Sequence, residues 1–389
     1  MPKLVFLTIR MKQGYGLTEM VSQFQRHLTD LGWEVVTLTS EKENVFDVSD
    51  ILGGFLTIDK VKEFIQGWKP DVIIATSSPY FEMLPQLAIY GRTIAFEAGD
   101  PTPEFFTSGE TLRREIILNK ELNVYPEVDK VLAISFFLQN EIKWPESEVI
   151  HLGCDHISDL GVKDNVISGG KFRVGTLARI GKGENDYKGV ELLVELAKLN
   201  PNMQFEVMGH GTKKDAMIFR RAGLLTHLNA SDSEREFFLR NVDVFISSSK
   251  WEGFNLPLVE AQALGTAAVA FDLGAHPEVT PYLMSSINEA SILLRHWQEN
   301  YEALSMASAR SYNFVRSKFN WFLATQELDR VARELLFIKR TSSYRKTDTV
   351  NTAKRNSVIK RGFLAFKIHG LRYFVTRVIQ ELGRRSPKH

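Results

Sequence analysis

Short apolar runs, spaced by longer stretches of mixed polarity, set the rhythm of this chain. Residues 4–9, 34–39, 71–75, 93–96 and 130–134 are rich in Val, Ile, Leu and Phe with little polar alternation. That is how a strand covered on both faces reads. Stretches of helical spacing lie between them, such as 18–31, which Gly32 ends. Strands alternating with helices predict an α/β unit with a parallel, doubly wound sheet. Residues 148–155, EVIHLGCD, read as its last strand and a crossover.

A polar, turn-rich stretch follows, and the rhythm then restarts. Residues 172–178, 204–208, 242–247 and 267–271 read as strands with helices between, and 289–304 and 321–337 as closing helices. No sequence repeat links the two halves. The expected organisation is a first unit over 1–155, a linker at 156–170, a second unit over 171–340 and a tail at 341–389. Residues 341–356 are polar. In 357–385, Leu364, Ile368, Leu371, Val375, Val378 and Leu382 recur at steps of three and four, with Lys and Arg interspersed. This predicts a basic amphipathic helix.

Composition sharpens this picture in two places. The single cysteine, Cys154, excludes an intramolecular disulfide and a cysteine-based zinc site. It fits a reducing compartment. The net charge of +1 hides an asymmetry: residues 339–389 hold 14 Lys+Arg and 2 Asp+Glu, the rest 34 and 45. An acidic body argues against a nucleic-acid partner, and a basic tail argues for a partner of its own. That partner is either an anionic membrane surface, reached through 357–385, or the acidic body itself. The first apolar run reads as a strand and not as a signal peptide, and no run reaches the ~18 apolar residues of a span. The expected location is cytoplasmic, peripheral at the inner face of a membrane if the tail binds there.

The chemistry concentrates at the carboxyl ends of expected strands, where open sheets form their sites. After the strand at 242–247 comes SSSKWEGFNLPLVEAQALG, with seven residues between Glu252 and Glu260. Asn255 suits the cap of the following helix and Pro257 its first turn. A helix N-terminus carries about half a positive charge and can take a diphosphate, with Gly253 admitting close backbone approach. Glu252 is placed to accept hexose hydroxyls and Glu260 both ribose hydroxyls. The plain alternative is that Glu260 complements the helix dipole and Glu252 is solvated. In GTLARIGKGENDYKGVELLVELA, Arg179 ends a strand and Lys188 opens a helix beyond a glycine-rich loop. Two cations there suit a diphosphate, although ordinary surface bases would read the same. Gly14 and Gly16 after the first strand form either a cleft loop or a plain turn, since GxGxxG is absent. In FEAGDPTPEFF, Glu97 and Asp100 are acceptor-side candidates, with a turn cap the alternative for Asp100. His151, His210 and His276 lack metal-ligand spacing, so no metal site is expected.

Taken together, EGFNLPLVEAQALG resembles the acid–seven–acid signature of the retaining family-4 glycosyltransferases of GT-B fold. GTLAR and YKGVELLVEL resemble that family's arginine and lysine clamp, VMGHG its glycine turn, and VLAIS and VIHLGCD its closing first-domain elements. GDPTPEFF is similar to a pattern of rhamnan- and S-layer-glycan-type transferases. The resemblance implies two facing Rossmann-like domains, with the donor held mostly by the second. It implies that Arg179 and Lys188 bind the donor diphosphate and Glu252 the donor sugar. The donor would also meet Gly16, Gly209, Gly253, Phe254, Asn255 and Leu256, with Glu260 on the ribose. It further implies no cofactor and no metal, a nucleoside-diphosphate sugar as co-substrate, and a glycan or lipid-linked acceptor in surface polysaccharide synthesis. A non-catalytic nucleotide-sugar-binding scaffold on the same fold is the alternative. Asn255 stands where the family usually has glycine, and Glu97 and Asp100 stand near where it often has histidine.

Overall fold

The computed structural model describes residues 1–43, 50–106, 109–163, 170–181 and 187–338. Two all-parallel sheets organise them. The first holds β1 (Lys3–Met11), β2 (Glu34–Lys42), β3 (Ile51–Leu52), β4 (Val72–Ala75), β5 (Arg92–Glu97), β6 (Lys130–Ala133) and β7 (Glu148–Val149), in the order β3-β2-β1-β4-β5-β6-β7. The second holds β8 (Arg173–Leu177), β9 (Gln204–Gly209), β10 (Leu225–Leu228), β11 (Val244–Ser247), β12 (Ala267–Phe271) and β13 (Leu283–Met284), in the order β10-β9-β8-β11-β12-β13. Central strands are continuous apolar runs because helices cover both faces: Leu4 to Leu7, Val72 to Ala75 and Ala267 to Ala270 have no exposed surface.

Three strands escape the sequence pattern. β3 and β13 are two residues long, and β10 is the edge strand LTHL, only partly covered. Within the expected strand and crossover at 148–155, Glu148 and Val149 form the last strand, the Ile150 amide still bonds to the Ala133 carbonyl, and the rest lies outside the sheet. The expected helix at 289–304 is two helices, Ile287–Glu299 and Tyr301–Lys318. They break at Asn300, whose extended backbone and side chain cap the second one.

The final helix, Trp321–Phe337, departs from the expected domain division at 171–340. It packs on the first unit, against the helix Gly16–Asp30. Trp321 is fully buried, with its ring edge-on to Phe24 at 5.5 Å. Arg333 donates to the Leu31 carbonyl at 3.1 Å. The sequence period correctly marks this segment as a helix but carries no address for its partner. The tail calls, including the helix at 357–385, lie outside the described residues, as does most of the expected linker's second half and the loop at 182–186.

In each sheet the winding direction reverses beside the first strand of the unit, between β1 and β4 and between β8 and β11. The crevice beyond the carboxyl ends of those strands is where such sheets bind ligands. The loops placed there are 12–16 and 76–80 in the first unit, and 178–181 and 248–255 in the second.

Candidate functional site

Lys188 and Glu252 meet directly, Nζ to Oε1 at 2.7 Å, although 64 residues separate them. Each side chain keeps a little over a tenth of its surface exposed. Burial opposes ionisation of Glu252, but the Lys188 ammonium holds the carboxyl below its usual range. Arg179 follows β8, and its guanidinium lies 3.4 Å from the Tyr187 hydroxyl, beside Lys188. Arg179 and Lys188 line one cavity together with Thr176 and Ser247 to Ser249. Two cations and one carboxylate thus converge at the switch point of the second sheet.

The turn from β11 into the helix Leu256–Ala263 is built by Asn255. Its backbone is left-handed, φ 72 and ψ 65, which asparagine tolerates better than most residues. Its side-chain oxygen caps the Leu258 amide at 3.3 Å. Its amide nitrogen lies 2.9 Å from His276 Nε2 and 2.9 Å from the Ser247 hydroxyl. His276 Nδ1 donates to the Phe271 carbonyl at 2.8 Å, so Nε2 is the acceptor. Burial depresses its basicity, and the ring is neutral. Spacing alone gave no sign of this histidine, because it meets Asn255 only when β11 and β12 lie side by side.

Glu260, one turn into the helix, looks elsewhere. It is 1% exposed, with Oε1 at 3.1 Å from His156 Nε2 and 3.5 Å from an Arg235 nitrogen. Its Oε2 is buried and has no hydrogen-bond partner among the described residues. Burial opposes ionisation, yet Arg235 and His156 keep the carboxyl below its usual range. Glu260 draws the His156 proton affinity upward against burial. The Trp321 indole N–H points at His156 Nδ1 at 2.9 Å, so we assign the ring's single proton to Nε2. Neither His156 nor Arg235 stood out in the sequence, since they come from the linker and another helix.

The first unit supplies the facing wall. Gly14 has φ +79, and a Cβ there would stand 2.0 Å from His210 Nε2, so only glycine lets the two units approach this closely. The Tyr15 ring stacks near His210, and the Arg179 guanidinium lies 5.4 Å from the same ring. Gly16 opens its helix close to Leu256, 3.5 Å from where its Cβ would be. A Cβ on Gly253 would lie 2.6 Å from the Ala98 carbonyl. The loop after β5 is therefore pressed against the Glu252 turn. Gly209 is different: a Cβ there would lie 1.8 Å from the Ala178 carbonyl, so its smallness serves packing between β9 and the Arg179 loop. Phe254 and Leu256 side chains are buried, which leaves their backbone as what a ligand can meet.

Glu97 and Asp100 share one lysine. Lys120 Nζ lies 2.7 Å from Glu97 Oε1 and 2.8 Å from Asp100 Oδ2. Tyr125 donates its hydroxyl to the same Glu97 oxygen at 2.7 Å. Glu97 and Lys120 are buried, whereas a third of the Asp100 side chain is exposed. Burial opposes the charge on Asp100, but Lys120 and then Arg113 hold its carboxyl below the usual range. Among the described residues, no group of three or more His, Cys, Asp or Glu is arranged to hold a metal ion. No helix among them is long and apolar enough to cross a membrane.

Comparison with known proteins bears on the fold and on the second unit. Residues 163–280 match the family model described as Glycosyl transferases group 1. A phosphatidyl-myo-inositol mannosyltransferase of Mycobacterium tuberculosis is 30% identical over 113 residues, 27% of this chain and 30% of the relative. The match thus spans about a third of that relative's length. Among solved structures, sucrose-phosphate synthase of Thermosynechococcus elongatus superposes with a TM-score of 0.70 at 16% identity, over 86% of this chain and 99% of the other. HepE of Anabaena, in complex with UDP and glucose, gives 0.67 at 15% identity over 86% and 100%. At such identities the likeness is one of fold: two Rossmann-like parallel-sheet domains in the GT-B arrangement.

Proposed function

We propose that this chain is a retaining hexosyltransferase of the family-4 type. It moves a hexose from a nucleoside-diphosphate sugar to a hydroxyl of a glycan or lipid-linked acceptor, in surface polysaccharide synthesis. The observation that carries this reading is the convergence of Arg179, Lys188 and Glu252 beside the Asn255 helix start. The Lys188 ammonium has three hydrogens and gives one to Glu252, so it can also meet a phosphate oxygen. Arg179, Lys188 and the helix N-terminus favour the charge that grows on a departing diphosphate. The positive groups of the protein serve that purpose without a metal in this scheme. Glu252 takes donor hydroxyls in this scheme.

The bond from the anomeric carbon to the diphosphate oxygen breaks with its electron pair going to the phosphate. The acceptor oxygen bonds to the same face of that carbon, and its proton passes to the leaving phosphate oxygen. Positioning and charge stabilisation supply the rate. The partial likeness to a mannosyltransferase acting on phosphatidyl-myo-inositol supports a hexose and a lipid-borne acceptor. The 14 basic residues at 339–389 support a cytoplasmic enzyme held at an anionic membrane face.

A thermal-shift panel of nucleoside diphosphates and their sugars, followed by NMR of the product's anomeric configuration, tests the reading. The expected result is stabilisation by one nucleoside diphosphate and retained configuration. Binding without turnover of any donor would favour a scaffold, and an inverted product would exclude the mechanism.

A further inference from the structure

A buried ion pair stabilises a fold poorly, because the cost of desolvation offsets the attraction. The Lys120–Glu97 pair, 3% and 1% exposed, therefore calls for another reason to exist. Its third member supplies one. Lys120 rises from the helix Glu110–Asn123, passes 5.0 Å from the Phe81 ring, and ends between Glu97 and Asp100. Lys120 thus bridges two carboxylates, and Arg113 faces Asp100 from beside the loop. Of the two carboxylates, only Asp100 has substantial exposure.

The loop that carries Asp100 lies on the cleft. A Cβ on Gly99 would lie 2.7 Å from the Trp251 ring, and the Ala98 carbonyl abuts Gly253. Further along the loop, the Phe106 ring lies 5.7 Å from that of Tyr187, which neighbours Lys188. Asp100 thus stands on the opposite wall from the Lys188–Glu252 pair. We propose that Lys120 is a positioning residue: it fixes the Asp100 carboxylate at the cleft, where Asp100 accepts a hydrogen bond from the reacting hydroxyl of the acceptor.

This inference rests on the glycosyl-transfer reading and narrows its substrate. A fixed carboxylate orients a neutral hydroxyl and repels a phosphate or carboxylate. The reacting group is therefore an uncharged hydroxyl. Lys120 touches no substrate in this arrangement and acts through Asp100 alone. Glu97 holds Lys120 in place and is itself held by the Tyr125 hydroxyl, while Arg113, over the Phe106 ring, acts on the Asp100 carboxylate.

The test uses the full chain, octyl hexosides as acceptors and the donor that turns over in the panel above. Acceptor KM, kcat and the dissociation constant of UDP, or of the nucleoside diphosphate found to bind, are measured together. Lys120→Met should raise acceptor KM at least tenfold and leave nucleotide affinity within twofold. Asp100→Asn, which keeps the buried Lys120–Glu97 pair, should raise it equally. The double variant Lys120→Met/Glu97→Leu buries no unpaired charge and should show the same defect in a folded chain. Unchanged acceptor KM in Asp100→Asn or in the double variant overturns the inference. So does a loss of nucleotide affinity as large as the acceptor effect, which marks a merely structural role. If the unaltered chain neither binds nor turns over any donor, the functional reading itself falls; if it turns over normally and the variants keep their KM, only this inference falls.

Discussion

Two lysine–carboxylate pairs, one in each sheet unit, have the same length and opposite settings. Lys188–Glu252 and Lys120–Glu97 both measure 2.7 Å. The first reaches the cleft, with each side chain more than a tenth exposed, and its ammonium keeps hydrogens for a ligand. The second is sealed, and its lysine spends its remaining reach on Asp100. A cleft pair can exchange partners with a substrate, whereas a sealed pair can only hold a neighbour in place. On the proposed reading, the same bond serves ligand capture in one unit and positioning in the other. What separates them is burial, 3% and 1% exposure for Lys120 and Glu97 against 14% and 13% for Lys188 and Glu252.

Breaking the cleft pair should have the largest effect. Lys188→Ala is expected to lower kcat by about 10²–10³-fold, as loss of one transition-state donor does, in a chain that remains folded at 25 °C. Steady-state kinetics with circular dichroism checks both halves of that statement. The sealed pair should answer in stability. Glu97→Leu leaves Lys120 with Asp100 alone and takes the acceptor from the Tyr125 hydroxyl, and should cost about 3 kcal/mol by urea denaturation, above the loss from Glu252→Leu. Equal losses would erase the contrast between the two settings.

Smaller effects sharpen it. Asn255→Ala removes the cap and the amide that meets His276, and should cost about 1–2 kcal/mol. Asn255→Gly keeps the left-handed turn and should cost less. Smallest is the acid response. Asp100, Glu252 and Glu260 all have carboxyls held below their usual range in the fold. Their stabilisation is complete above the unfolded carboxylate values, about pH 4–4.5, and is lost as pH falls through the lower folded ones. Unfolding free energy should therefore decline below about pH 4.5, and Asp100→Asn should make that decline shallower. An unchanged slope would mean that Lys120 does not hold Asp100 ionised.

Much of the architecture was legible along the chain. Central strands such as β1, β4 and β12 are buried on both faces, so they must be apolar throughout, and the run itself reveals them. β3, β10 and β13 stayed hidden because edge strands of two to four residues carry no period to read. At the site, Arg179, Lys188, Glu252 and Asn255 were visible because each sits beside a strand end or a helix start. His276, His156, Arg235 and Lys120 were not. Each lies in an unremarkable helix or loop and gains its role from a partner that is 21, 104, 25 or 23 residues away in sequence.

The chain by itself determined two α/β units, their parallel sheets and the cations and acids at their strand ends, because these follow from local period and capping chemistry. Tertiary structure alone decided that the helix Trp321–Phe337 returns to the first unit, and that Glu260 turns to His156 and Arg235 while Glu252 turns to Lys188. It also decided that Lys120 holds Asp100. Those choices depend on which buried charges find partners across the packed units, and pairing between distant residues leaves no mark on the order in which they are written.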